Sequence, residues 1–211
     1  MNDDRPSVAA TETTQYAEFL EERKGRFWKQ IVDVQAPYRW NIRRLDLGRV
    51  LDLGCGYGRN LEHLHGNGVG IDHNATFVAS CRRRGLEAYS PTEFAREADR
   101  LGQFDTILLS HVAEHLNRTD AESLVRAYRP FARAGGRLAV ITPQKRGHAS
   151  DPTHVLYYSS MEHERFFAAL GARIDRHFSF PFPFWVGDAF TYNETISVGT
   201  FLPEGQQPSF S

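Results

Sequence analysis

Arg49-Val50-Leu51-Asp52-Leu53-Gly54-Cys55-Gly56-Tyr57-Gly58-Arg59-Asn60 is the stretch around which the rest of the chain is arranged. Val50 to Leu53 is an apolar run too short for a buried helix. It stops at three glycines in alternate positions, and an amphipathic segment, Asn60 to Leu64, follows, so the order reads strand, tight loop, helix. Glycines at those positions allow positive φ and let backbone N–H groups approach a ligand closely at a helix N-terminus.

A dinucleotide-binding loop would read G-x-G-x-x-G, with its third glycine at Arg59. Here that glycine comes one residue earlier, at Gly58. Asp52 stands two residues before the first glycine, and Asp72 closes a second apolar strand, Gly68-Val69-Gly70-Ile71, eighteen residues after it. On these residues the segment resembles the class I S-adenosylmethionine (SAM) dependent methyltransferases, whose first motif is (Asp/Glu)-x-Gly-x-Gly-x-Gly. The resemblance runs from about Val50 to Phe201. It implies a Rossmann-like α/β fold: a doubly wound, seven-stranded sheet, mostly parallel with an antiparallel last strand, and helices on both faces. It also implies a SAM site formed by Asp52, Gly54, Cys55, Gly56, Gly58, Asp72, His73, Asn74, Phe94 and Ser110. The donor carries an ammonium, a sulfonium and a ribose diol, which suits Asp52 near the amino-acid end and Asp72 at the ribose hydroxyls. His73 is expected along the adenine. Many relatives place an aspartate near the third strand for the adenine amino group; this chain has none there and offers Thr92, Glu93 and Phe94 instead.

With 211 residues and a formal charge of −1 the chain has room for one ordinary domain and lacks the overall charge of a nucleic-acid binder. Arg43-Arg44 and Arg82-Arg83-Arg84 read as solvated faces. Two cysteines, one inside the glycine loop, do not make a disulfide framework. The opening residues lack the order of a signal peptide, and no run is long enough to span a bilayer, so the expectation is a soluble, cytoplasmic protein without membrane partners.

Residues 1–14 read as a mobile tail and 204–211 as another, with a helical N-terminal lid over 15–48 and the SAM-binding domain over 49–203. In the lid, apolar positions recur at helical spacing from Gln15 to Ala36, and a second short helix opens after Pro37. Tyr16, Tyr38, Arg39 and Trp40 are candidates to cover the cofactor; packing of their rings on the sheet is the alternative. Asn74 is placed to cap a helix over Ala75 to Arg84, and Ser90-Pro91-Thr92-Glu93 reads as a capping box. Thr119 is expected to cap a helix running to Ala134. Strands are expected at Leu86 to Tyr89, Phe104 to Leu109, Arg137 to Thr142, Ala172 to Phe178 and Thr195 to Phe201, with a loop over Pro143 to Tyr158. The prolines of Ser179-Phe180-Pro181-Phe182-Pro183-Phe184-Trp185 exclude a central strand, and its rings suit an acceptor wall or a homodimer contact.

The fourth strand delivers Ser110-His111-Val112-Ala113-Glu114-His115 at the ligand-binding edge of such a sheet. His111, Glu114 and His115 are spaced i, i+3, i+4, so a helical turn there would align them. H-x-x-E-H also matches a zinc-protease signature, but that motif belongs in a long helix rather than after a buried strand. The loop after the fifth strand adds His148, Asp151 and His154. A Glu-His pair with a later histidine is similar to two metal-assisted groups of the family, the small-RNA 2′-O-methyltransferases and the ubiquinone-pathway O-methyltransferases. By that resemblance His111, Glu114, His115 and His154 would hold Mg²⁺ or Mn²⁺, with His111 standing where a glutamate is usual. Without a metal, His115 or His154 would act as general base, oriented by Asp151 or Glu114. The expected reaction is methylation of a small-molecule hydroxyl, with a sugar or other vicinal diol ahead of a catechol. RNA 2′-O-methylation and a non-catalytic SAM-binding regulator are the alternatives.

Overall fold

The computed structural model describes residues 35–203. The expected tails, the helix from Gln15 as far as residue 34, and Tyr16 lie outside the described residues. The first described helix, α1, spans Ala36–Arg44, with Pro37 in its first turn and Arg43 and Arg44 in its last. Proline fits there because its missing N–H would have no helical acceptor anyway.

Seven strands follow: β1 Val50–Leu53, β2 Gly68–Ile71, β3 Ala88–Tyr89, β4 Phe104–Ser110, β5 Ala132–Pro143, β6 Ala172–Phe180 and β7 Glu194–Phe201. They form one sheet in the order β3-β2-β1-β4-β5-β7-β6. The first five are parallel to one another, and β7 runs antiparallel to both β5 and β6. This is the doubly wound, mostly parallel arrangement expected from the alternation of short apolar runs and helices. Every residue of β1 and β2 is buried, as strands covered on both faces must be.

The helices are α2 Arg59–His63, α3 Ala75–Arg83, α4 Pro91–Leu101, α5 Arg118–Tyr128, α6 Lys145–Ala149 and α7 Ser160–Ala169. Their caps are largely written in the sequence. Asn74 accepts from the Thr76 N–H, and Ser90 and Glu93 complete a capping box. The Ser159 side chain accepts from the Glu162 N–H. The start of α5 differs from expectation: Asn117, not Thr119, is the cap, its Oδ1 accepting from the Asp120 N–H at 2.9 Å. That helix stops at Tyr128, and β5 begins at Ala132 rather than Arg137, with an irregularity in its register against β4. The expected loop after β5 contains the one-and-a-half-turn helix α6.

Two apolar layers cover the sheet. One joins Leu51, Leu53, Phe94, Phe104 and Tyr158 with Phe166 and Phe167 of α7; the other joins Ile42 of α1 and Leu45 just after it with Val50, Leu61, Cys81 and Ile196. Phe94 corrects an expectation. Its ring is 1% exposed and packs edge-on against Phe131 at 4.9 Å and Tyr128 at 5.5 Å, in the core rather than along a cofactor. No helix among the described residues is long and apolar enough to cross a membrane.

His163 is fully buried inside this fold, its Nε2 3.0 Å from Thr142 Oγ1, and burial lowers its pKa to about 3. A histidine whose folded pKa lies below its unfolded value of about 6.5 binds more protons unfolded, so stability is full above that value and is lost as pH falls toward 3. Thermal unfolding followed by circular dichroism is therefore expected to lose about 2 kcal/mol per such histidine between pH 7 and pH 5. In His163→Gln the acid limb should flatten, whatever the absolute stability of the variant. Gly58 has φ +75°, and a Cβ there would meet Leu86 Cδ1 at 2.7 Å and Cys81 Sγ at 2.9 Å. Urea titration of Gly58→Ala is expected to show a loss of about 1–3 kcal/mol.

Candidate active site

The C-terminal ends of β1, β2 and β4 bring the glycine loop, Asp72 and the histidine segment to one edge. Gly54, Gly56 and Gly58 all take positive φ. The Gly54 and Cys55 N–H groups donate to the Ile71 carbonyl, at 2.8 and 3.1 Å, lacing the loop to the end of β2. A Cβ on Gly54 would strike Val112, whereas one on Gly56 would meet nothing within 4 Å. The loop is thus closed toward β4 and open at its middle glycine, as a backbone cradle for a ligand requires.

Asp72 accepts the Gly56 N–H on Oδ2 at 2.9 Å and the Asn74 N–H on Oδ1 at 2.8 Å. Asn74 serves this geometry as the α3 cap, and His73 beside it is half-exposed, with its Nδ1 3.9 Å from Asp72 Oδ1. Asp52 is 1% exposed, and neither carboxylate oxygen has a hydrogen-bond partner. Burial pushes its carboxyl up to about 7, with Asn60 and Arg59 pulling the other way. A buried carboxylate without a partner is the signature of a site that awaits a cation. Cys55 does not face the ligand side. Its thiol and that of Cys81 both approach the Gly56 carbonyl, at 3.7 and 3.3 Å, and both cysteines are free. Glu93 is likewise committed, to the Ser90 N–H and to a two-pronged pair with Arg82. Ser110 lines a cleft with Tyr38, Asn41, Arg59, Asn60, His63 and Glu194, roofed by α1.

The lid residues that are described dock on the aromatic segment. Tyr38 packs edge-on against Phe180 at 5.8 Å and its hydroxyl donates to the Tyr192 carbonyl at 2.7 Å; Trp40 lies 6.2 Å from Phe180. Phe182, Phe184, Trp185 and Tyr192 are exposed. Asn193 holds this segment in place: its Oδ1 accepts the Phe182 N–H, and its amide reaches Gln144 Oε1 and the Phe182 and Pro183 carbonyls.

The histidine constellation is only partly the one the spacing implies. A single 3₁₀ turn, Ala113–His115, follows β4, and His111 lies before it with φ 58°, so no continuous helical turn aligns the three side chains. His111 turns away to bridge two acids, with Nε2 2.8 Å from Glu194 Oε1 and Nδ1 3.3 Å from Glu114 Oε1. Burial alone would lower its pKa; the bonds to Glu114 and Glu194 override this and hold it up to about 9. The Glu114 carbonyl accepts the Val155 and Leu156 N–H groups at 2.7 and 3.2 Å, which draws the loop after β5 onto this turn. One ligating atom from each of Glu114, His115 and His154 then lies within 4.8 Å of the other two, and His111 is not among them.

Hydrogen bonds fix how these groups present themselves. His154 Nδ1 is 2.8 Å from the His148 carbonyl, which can only accept, so Nδ1 carries the proton and Nε2 the lone pair. His115 Nδ1 is 3.1 Å from Thr153 Oγ1, which in turn donates to Asp151 Oδ1 at 2.7 Å. Burial holds the His115 pKa below its ordinary value, keeping the ring neutral. Burial works against Asp151, but the Thr153 bonds prevail and keep it low and ionised. Glu114 is fully buried; its Oε1 is paired with His111 Nδ1, and its Oε2 has no hydrogen-bond partner. A buried carboxylate with one oxygen left over, beside two imidazoles, fits a divalent cation. Thr153 and Glu194 are the site residues that spacing did not single out. An Asp-x-Thr turn two residues after it starts was the available sign of the first, and nothing local marked the second.

The sequence profile of the family described as a methyltransferase domain matches residues 10–180. Among curated proteins none matches. In its fold the chain is similar to magnesium protoporphyrin IX methyltransferase from Synechocystis PCC 6803 with bound S-adenosylhomocysteine, at TM-score 0.65 and 14% identity, over 92% of this chain and 98% of that one. A SAM-dependent methyltransferase from Archaeoglobus fulgidus gives 0.63 and 18%, over 88% and 99%. The methyltransferase domain of bacterial CtHen1 gives 0.58 and 16%, over 79% and 95%. With a cradle that fits the donor and a profile that covers most of its length, the chain belongs to the methyltransferase domain family and is a SAM-dependent methyltransferase of class I.

Proposed function

We propose that this methyltransferase transfers the methyl group to an oxygen, a hydroxyl of a small molecule, with a sugar or other vicinal diol as the acceptor class. Glu114, His115 and His154 are the residues that would hold a divalent cation, Mg²⁺ or Mn²⁺, and two imidazoles with one carboxylate suit Mn²⁺ better. The observation that carries this reading is the clustering of those three groups at the edge that also holds the glycine loop. A cation held there would supply Lewis-acid polarisation to neighbouring hydroxyl oxygens.

The chain's own residues do the rest. Asp52 accepts the ammonium of the donor, and Asp72 has lone pairs left for the ribose hydroxyls after its two backbone bonds. Methyl transfer needs an acceptor lone pair in line with the S–CH₃ bond, so positioning in a dry pocket is worth more than any single contact. The Nε2 atoms of His115 and His154 take the hydroxyl proton where no cation is bound, since both carry a lone pair. An exposed aromatic wall including Phe182 and Tyr192 gives the apolar face of a ring somewhere to rest. A catechol shares the vicinal oxygens of a sugar diol. RNA 2′-O-methylation is the second reading, favoured by the same cluster; a net charge of −1 weighs against it.

Turnover with labelled SAM across sugars, catechols, amines and short RNA is expected to give methyl ethers of small diols. Methylation confined to nitrogen or carbon would overturn the oxygen assignment, and methylation of RNA alone would move it to the second reading. Chelator treatment should slow the reaction at least about tenfold, with recovery on adding Mn²⁺. The donor site makes a separate prediction. Because Asp52 must be ionised to meet an ammonium and its carboxyl is pushed up to about 7, S-adenosylhomocysteine affinity should rise through that pH and level off above it. Calorimetry should find a loss of nearly tenfold per pH unit below 7, and a nearly flat, weak profile in Asp52→Asn.

A further inference from the structure

We infer that Asp151 and Thr153 form a hydroxyl relay that sets the tautomer of His115, so that the ring presents Nε2 as an acceptor atom. This rests on the reading of Glu114, His115 and His154 as a ligating or proton-accepting cluster. It adds two positioning residues that act through His115 and touch neither cation nor acceptor.

A threonine hydroxyl has one proton to give. The Thr153 Oγ1 stands 2.7 Å from Asp151 Oδ1, and an ionised carboxylate can only accept, so that proton is committed to Asp151. Toward His115, 3.1 Å away, the hydroxyl can then only accept, which requires the imidazole proton on Nδ1. The opposite tautomer would set the Thr153 lone pairs against the Asp151 carboxylate. Asp151 cannot turn aside readily, because the same Oδ1 also takes the Thr153 N–H at 2.9 Å. The turn therefore closes on itself and leaves its acceptor to the histidine.

The neighbouring histidine reaches the same state by a different device. His154 Nδ1 donates to the main-chain carbonyl of His148, which no side-chain substitution at Asp151 or Thr153 removes. One imidazole is thus fixed by the backbone, while the other, though it also feels the Thr153 main chain, bonds to a replaceable hydroxyl. Groups of this kind orient a ligand and raise its basicity, and their loss commonly weakens metal affinity 10–100-fold.

The test is long-range ¹H–¹⁵N NMR of the metal-free full chain at pH 7.5, which reads the tautomer of each histidine directly. Both His115 and His154 should carry their proton on Nδ1. Thr153→Val should release His115 into a mixture, and Thr153→Ser should restore it. Asp151→Ala should free the hydroxyl to donate and drive the His115 proton to Nε2. His154 should stay unchanged in all three as an internal control. Calorimetric titration with Mn²⁺ should weaken about 10–100-fold in Thr153→Val and stay within about threefold in Thr153→Ser. His115 protonated on Nε2 in the unmodified chain, or a tautomer indifferent to both Thr153→Val and Asp151→Ala, overturns the relay. If the tautomers shift as stated while no form of the protein binds Mn²⁺, the relay stands and the metal reading falls.

Discussion

The two carboxylate oxygens of Asp72 hold the donor half of this site together. One takes the Gly56 N–H and the other the Asn74 N–H, so a single side chain at the end of β2 ties the loop after β1 to the start of α3. Charge-assisted bonds from backbone donors are about twice as strong as neutral ones, and here the accepting Asp72 side chain is itself buried. The Ile71 carbonyl, one residue earlier, takes the Gly54 and Cys55 N–H groups. The cradle is therefore shaped by the end of β2 before any ligand arrives, and the donor need not supply the energy of ordering it.

The acceptor half is assembled differently. β5 is bonded along β4 but supplies no member of the cluster; the loop between β5 and α7 is drawn across by two N–H groups on the Glu114 carbonyl. That contact is main chain to main chain, and it delivers His154 beside His115 with their rings 4.7 Å apart. The aromatic segment after β6 is held by a third device, the buried Asn193 amide between Gln144 and two carbonyls. Both loops are thus pinned at their bases by polar bonds, while their tips carry the exposed rings and the histidine of the proposed cluster.

What could be read from the sequence follows from the range of the interactions involved. β1, β2 and the capping box at Ser90 depend on neighbours within a few residues, and their expected places agree with the observed ones. The cap of α5 is not decided by the sequence, because Asn117 and Thr119 are both good caps and only the geometry at the Asp120 N–H separates them. The capping box says where α4 starts but not which face it buries, so Phe94 looked available to a cofactor and is instead in the core. His111 failed for the longest-range reason. Its partner Glu194 is 83 residues away, on a strand that becomes a neighbour only when the antiparallel hairpin closes. The glycine loop and its two acids were legible because their chemistry is local to two adjacent strand ends.

Charge explains why the histidine left its expected place. The edge of the sheet buries four acids, Asp52, Asp72, Glu114 and Glu194, and buried like charges call for a counter-charge. His111 sits between two of them, protonated up to about pH 9, and for that it takes a left-handed backbone conformation. Such a conformation costs about 1–2 kcal/mol in a residue other than glycine. Each hydrogen bond to a charged partner returns about 1.5–3 kcal/mol, so the strained position is the stable one. His111 is then the internal cation for Glu194 and for one oxygen of Glu114, and it leaves Asp52 with no such partner. An edge with one acid neutralised from within and another held near its titration point is poised for a ligand that brings its own positive charge, as the methyl donor does at both its ammonium and its sulfonium.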